Sequence, residues 1–336
     1  KIVSLVMLHF IFHATLSPKD IIPVCIFILN YIIIVSFFIY IKKNINKHLR
    51  YYNNMETKYL ELLNIVKCKG IKKETRNGIT YSYFGHLLKF DISNNIFPLI
   101  TTKKMFYRGI VEELLWFLRG SCDSKELENK GVNIWKDNSS REYLDKNGFF
   151  DYEEGYLGPI YGFQWRSFNG KIDQLKYILE ELQKTNSRRI IINAWNPCQL
   201  SEQALPPCHI LYNFFKYNDN EISCMMYMRS SDLFLGLPFN IASTALLTYI
   251  IAKVSGLKVK EIAISICDAH IYEEHLTQID TQLKRTPYSF PTINIKKSID
   301  LNLSIEEKIK WIENLTFEDF ELNNYISYPA IKAVMK

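Results

Sequence analysis

Leu205-Pro206-Pro207-Cys208-His209-Ile210-Leu211-Tyr212-Asn213-Phe214-Phe215 opens the region where the fold is easiest to read. Ile210 to Phe215 is an apolar run of strand length, Ile222 to Tyr227 is another, and both read as strands buried in a core. Next comes Leu237 to Val254, too long for a strand and apolar on nearly every side. It is expected as a core helix, with Pro238 in the first turn, where a missing N–H costs nothing. A strand over Ile262 to Ile266 and a helix over Tyr272 to Leu283 follow. Upstream, Ile190-Ile191-Ile192 reads as a strand, Asp173 to Leu182 as an amphipathic helix, and Asn133 to Phe168 as loop-rich chain with glycine and aromatics interleaved. Further back are a strongly apolar helix, Ile110 to Leu118, closed by Arg119-Gly120, and a strand, Ile79 to Phe84. Earliest of these is a helix over Glu56 to Val66 closed by Lys69-Gly70. No fixed-period repeat and no linker rich in Pro, Gly or Ser interrupts residues 55–336, so they are expected to form one α+β domain.

Composition narrows the class. Of the 336 residues 48% are apolar and 14% aromatic, which supplies a large core and excludes a disordered chain. The net charge of +6 is concentrated in residues 1–54, whose six Lys/Arg face one acid, Asp20, leaving +1 for the rest. A nucleic-acid partner is not implied. Seven scattered cysteines with no C-x-x-C pair suit neither a disulfide framework nor a metal knot and fit a reducing compartment.

Residues 1–54 are a separate problem. Ile21 to Ile41 runs 21 residues without a charge and is followed by Lys42, Lys43, Lys47 and Arg50, the pattern of a membrane span with the downstream chain in the cytoplasm. The competing expectation is that 1–54 is upstream sequence outside the functional protein, with Met55 opening the domain. The domain from residue 55 onward is expected in the cytoplasm on either reading, free or membrane-anchored.

Several residues suit chemistry. Cys208 follows two rigid prolines at the mouth of an apolar strand, and Arg188-Arg189 and Arg229-Ser230-Ser231-Asp232 lie at strand ends, where guanidinium groups suit a phosphate dianion. A lone cysteine is usually an inert buried thiol and paired arginines are usually solvated, so it is their combination that points to a site. Glu113 falls between Trp116 and Phe117 around its helix and has no solvated arc, which makes it a candidate acid or base or a helix-surface ion-pair member. Asp268-Ala269-His270, Tyr272 and His275 follow a strand; the five-residue step between the histidines is wrong for a helical metal pair, so hydrogen bonding to a substrate is expected.

Taken in order, Phe97-Pro98-Leu99-Ile100-Thr101-Thr102-Lys103-Lys104, Glu113-Leu114-Leu115-Trp116, Leu157-Gly158-Pro159-Ile160-Tyr161-Gly162-Phe163-Gln164-Trp165-Arg166 and Arg188-Arg189-Ile190-Ile191 carry a family resemblance. Ala194-Trp195-Asn196-Pro197, Leu205-Pro206-Pro207-Cys208-His209, Arg229-Ser230, Leu235-Gly236-Leu237-Pro238-Phe239-Asn240-Ile241-Ala242 and Asp268-Ala269-His270 extend it. The chain from about 56 to 335 resembles thymidylate synthase, and Ser140 to Asp145 looks like the insert of its eukaryotic-type members. The resemblance implies a mixed β-sheet core with flanking helices, the sheet packing against a partner subunit in a homodimer. It implies methylation of dUMP to dTMP with 5,10-methylenetetrahydrofolate as carbon donor and reductant, and no metal. Cys208 would be the nucleophile, with Glu113, Tyr161 and His209 in proton handling. Arg76, Arg188, Arg189, Arg229, Ser230, Asp232, Asn240, His270 and Tyr272 would bind dUMP, Arg188 and Arg189 from the partner subunit. Ile134, Trp135, Leu205, Asp232 and Phe239 would line the folate side.

The chain departs from the usual family pattern in places: a loop one residue shorter after Arg76, Met228 for glutamine, Cys267 for glycine, Glu274 for asparagine, Gln199 and Gln203 for the usual acid and methionine, and a tail that ends in lysine about one residue short. Since the family's tail closes over ligands, slower catalysis is expected. Two other functions fit less well. A dUMP hydroxymethylase would quench the same intermediate with water, whereas Asn240 argues against the cytosine-specific version. A catalytically dead paralogue, kept as a binding or membrane-tethered protein, conflicts with the full set of catalytic-position residues.

Overall fold

Strands with one apolar face need a cover on that face only, and the central sheet is built on this rule. In the computed structural model, which describes residues 35–36, 55–218 and 220–335, six strands lie in the order β1-β2-β6-β5-β4-β3. They are β1 (Ile71–Thr75), β2 (Gly78–Asp91), β3 (Ile191–Asn193), β4 (His209–Tyr217), β5 (Glu221–Asp232) and β6 (Lys258–Tyr272). All neighbours are antiparallel except β5 and β6. A parallel pair needs a crossover, and helix α7 below supplies it. The expectations for residues 1–34, 37–54 and Lys336, the membrane span among them, lie outside the described residues.

On one sheet face Leu88, Phe90, Tyr212, Phe214, Cys224, Met226, Ile262 and Ile264 are buried. The helices in chain order are α1 (Glu56–Lys69), α2 (Tyr107–Leu118), α3 (Lys125–Glu128), α4 (Arg141–Lys146), α5 (Tyr161–Ser167), α6 (Gln174–Gln183), α7 (Gly236–Ser255), α8 (Leu276–Leu283) and α9 (Ile305–Glu313). α7 is long and apolar enough to cross a bilayer, yet it is a core helix, buried along most of its length. It ends at Gly256, whose positive φ of 69° is the left-handed cap that glycine adopts without strain. A small two-stranded antiparallel sheet, β7 (Thr292–Ile295) with β8 (Phe320–Asn323), completes the unit formed by residues 54–336.

The helices expected over Ile110 to Leu118, Asp173 to Leu182 and Leu237 to Val254 form, each displaced at an end by one to three residues. Four expectations need correction. The strand expected over Ile79 to Phe84 extends to Asp91 and gains a hairpin partner, β1, whose residues are all exposed and give no apolar signal. Arg229 to Asp232 and Asp268 to Tyr272 lie within β5 and β6 rather than after them, because strand pairing continues through the polar residues. The helix expected from Tyr272 begins only at Leu276, after a 3-10 turn over Glu273–His275. The supposedly loop-rich middle holds α4 and α5, and α4 starts where Ser140 Oγ accepts the Tyr143 N–H.

Candidate active site

Pro206 and Pro207 have no backbone N–H to donate, but they keep carbonyls that can accept. Arg229 uses them: its Nε donates to Pro207 O at 2.8 Å and its Nη2 to Pro206 O at 3.0 Å. The same Nη2 lies 3.6 Å from Cys208 Sγ. The Cys208 N–H donates to Tyr161 Oη at 2.7 Å, leaving the tyrosine's own O–H available. Burial pushes the Cys208 thiol up, opposed by the positive charges of Arg229 and Arg76. Desolvation outweighs the two arginines, so the net shift of this thiol is upward.

Behind the cysteine, His209 stacks on Tyr161 with ring centroids 4.1 Å apart, and its Nδ1 pairs with Tyr212 Oη at 2.9 Å. Burial lowers His209 to about 3, so it is a neutral ring throughout the physiological range. Phe117 and Trp165 close the aromatic cluster around it.

Glu113, on the inner side of α2, receives the Trp135 indole N–H at 2.8 Å. Desolvation raises its carboxyl to about 7 despite that bond. The parallel pairing of β5 with β6 sets Ser230 beside Asp268 and Asp232 beside His270, and β2 brings Thr80 against Tyr272. Ser230 Oγ lies 3.3 Å from His270 Nδ1, and His270 meets Tyr272 edge to face at 5.5 Å. Asp232 accepts the Phe234 and Leu235 N–H groups at 2.9 and 3.3 Å and so shapes the turn into α7.

These side chains surround one cavity of about 730 Å³. Its wall includes Arg76, Glu113, Ile134, Trp135, Tyr161, Leu205, Cys208, His209, Arg229, Ser230, Asp232, Phe239, Asn240, Asp268, His270 and Tyr272. Of the candidates, Arg188, Arg189 and His275 do not line it, and His275 is buried against Val334 O instead of facing a substrate. Arg76 reaches it from the β1–β2 turn, where Gly78 takes a φ of 118°. Arg188 and Arg189, exposed ahead of β3, do not reach it. Wall residues that the sequence reading did not single out include Asn138, Ala333 and Met335. Asn138, in a 3-10 turn, carries no local signal, whereas Ala333 and Met335 belong to the tail that the family resemblance placed over the ligands.

A thiol, a fixed guanidinium and a carboxyl raised toward neutrality share one cavity, an arrangement that suits cysteine-nucleophile chemistry. The chain belongs to the thymidylate synthase family, since residues 57–336 match the family model described as thymidylate synthase. Similar proteins include human thymidylate synthase, 44% identical over 83% of this chain and 90% of the human protein. That of human herpesvirus 8 is 45% identical, covering 83% of this chain and 84% of the viral protein. The bifunctional dihydrofolate reductase-thymidylate synthase of Leishmania major is 43% identical over 84% of this chain. The chain spans 55% of that relative's length.

Proposed function

We propose that this chain methylates dUMP to dTMP with 5,10-methylenetetrahydrofolate, releasing dihydrofolate. The observation that carries the reading is Cys208 Sγ lying 3.6 Å from Arg229 in a cavity also walled by Asn240, His270 and Tyr272. Arg76, Arg229 and Ser230 would hold the phosphate, Asn240 the uracil amide edge, and His270 with Tyr272 the ribose hydroxyl. Cys208 would lose its proton as its sulfur bonds to uracil C6, and C5 would then attack the folate's methylene carbon. Loss of the C5 proton and of tetrahydrofolate leaves an exocyclic methylene, and hydride from that folate completes the methyl group as the C6–S bond breaks, restoring the C5–C6 double bond and freeing Cys208. Glu113 would hold or release a proton near neutrality beside Trp135, while Tyr161 offers its O–H next to Cys208. His209 acts as a neutral wall, and Ile134, Trp135, Leu205, Asp232 and Phe239 would face the folate.

Arg188 and Arg189 would enter the cavity of a second subunit. The uncovered sheet face supports a homodimer: Leu87, Phe215, Met225 and Tyr227 are exposed side by side on it. Incubating the protein with dUMP and methylenetetrahydrofolate should yield dTMP and dihydrofolate. Hydroxymethyl product with tetrahydrofolate would favour the hydroxymethylase, and no product would favour the inactive paralogue. Cys208→Ser should abolish turnover; a variant that keeps it would exclude the covalent route.

A further inference from the structure

We infer that His275 is a positioning residue that fixes residues 331–335 as one wall of the active-site cavity. His275 closes the 3-10 turn after β6 and is only 1% exposed. Its Nε2 lies 2.9 Å from Val334 O. A carbonyl oxygen only accepts, so Nε2 carries the hydrogen, and Nδ1 has no partner among the described residues. The ring is held from two sides, 5.5 Å from Phe234 and 5.6 Å from Tyr272. It therefore presents one N–H in a fixed direction. Val334 is itself exposed, so no burial of its own side chain holds it in place. The residues on either side of it, Ala333 and Met335, both line the cavity, as does Tyr272. One buried imidazole thus touches the nucleotide side of the cavity through Tyr272 and the covering segment through Val334. The tether from the other end is firm: Tyr325 Oη donates to Ile100 O at 2.8 Å, and the Tyr328 N–H to Thr101 O at 2.9 Å. Between Tyr328 and the end of the described chain, the His275 bond and the Arg285 bond to Pro329 O at 2.9 Å are the side-chain hydrogen bonds that hold this segment.

The kinetic part of this inference rests on the proposed dUMP–folate reading, whereas the structural part does not. In the full chain, carboxypeptidase Y should trim the last residues of His275→Phe about fivefold faster than those of the unaltered protein, the effect of losing one neutral hydrogen bond. His275→Gln, whose amide can still donate, should trim more slowly than His275→Phe. His275→Phe should raise the KM for methylenetetrahydrofolate with little change in dUMP affinity. In a chain cut after Ala333 the same substitution should have no further effect on that KM. Equal trimming of His275→Phe and unaltered protein, or additive effects of the substitution and the cut, would overturn the inference. Changed trimming in a protein that makes no dTMP would sink the proposed function and leave the tether standing.

Discussion

Cys208 shows how opposing electrostatic terms meet on one atom. Arg229 is nailed to two proline carbonyls and cannot swing away, so its charge beside the sulfur is permanent. Desolvation still wins, and the thiol sits above its ordinary range. Iodoacetamide should therefore alkylate Cys208 slowly at neutral pH, its rate rising with pH to a midpoint above that of an ordinary thiol. Arg229→Gln removes a charge that favours the thiolate and should push this midpoint higher still; a midpoint that falls would contradict the balance drawn here. Cys208 and the arginines were legible as candidates from residue type and neighbours. The direction of the thiol's shift was not, because it depends on burial.

Helix α2 carries a carboxyl in an apolar face, and its protonation should appear in stability. The folded Glu113 titrates near 7, well above an unfolded glutamate, so the folded state binds the extra proton between those values. Stability from this group is then full at acid pH and falls as pH rises toward and past 7. Glu113→Gln should raise the urea midpoint at pH 8, by up to about 3 kcal/mol in free energy, and should be near neutral at pH 5. Equal effects at both pH values would refute this.

At the start of α1, Glu56 is fully buried and accepts the N–H and O–H groups of Thr101 at 2.8 and 2.6 Å, and those of Thr102 at the same two distances. That turn belongs to the Phe97 to Lys104 segment, which also receives Gln282 and Arg285 and anchors Tyr288 and Tyr328. Glu56→Ala strips acceptors from four buried donors and should cost about 3 kcal/mol in chemical denaturation. A loss under 1 kcal/mol would show that the turn holds itself. The apolar periods announced α2, α6 and α7, whereas β1, fully exposed, and α4, set by the Ser140 cap, carried no apolar period to read.

At the scale of the whole molecule, the exposed apolar residues of the sheet face and the two outlying arginines are both accounted for by the proposed homodimer. Arg188 and Arg189 are exposed away from the cavity of their own chain. Replacing Tyr227 or Met225 by Asp should shift the protein toward monomer in sedimentation and lower activity with it. Mixing two inactive proteins, Cys208→Ser and Arg188→Ala/Arg189→Ala, under subunit exchange should restore up to about a quarter of full activity, since half of the molecules are then mixed dimers with one intact site. No recovery after exchange would place both arginines outside the site.

Residue order and type pointed to the class of chemistry and the main buried elements, because a cysteine after two prolines and arginines near strand ends, like an apolar run of given period, are local facts. Tertiary structure decided which of these residues meet. The parallel β5–β6 pairing put Ser230 and Asp232 beside Asp268 and His270, and long-range closure brought Arg76, Asn138 and residues 333 and 335 to the same cavity. It also set the protonation of Cys208, Glu113 and His209, since desolvation is a property of the packed surroundings and has no counterpart in a stretch of chain.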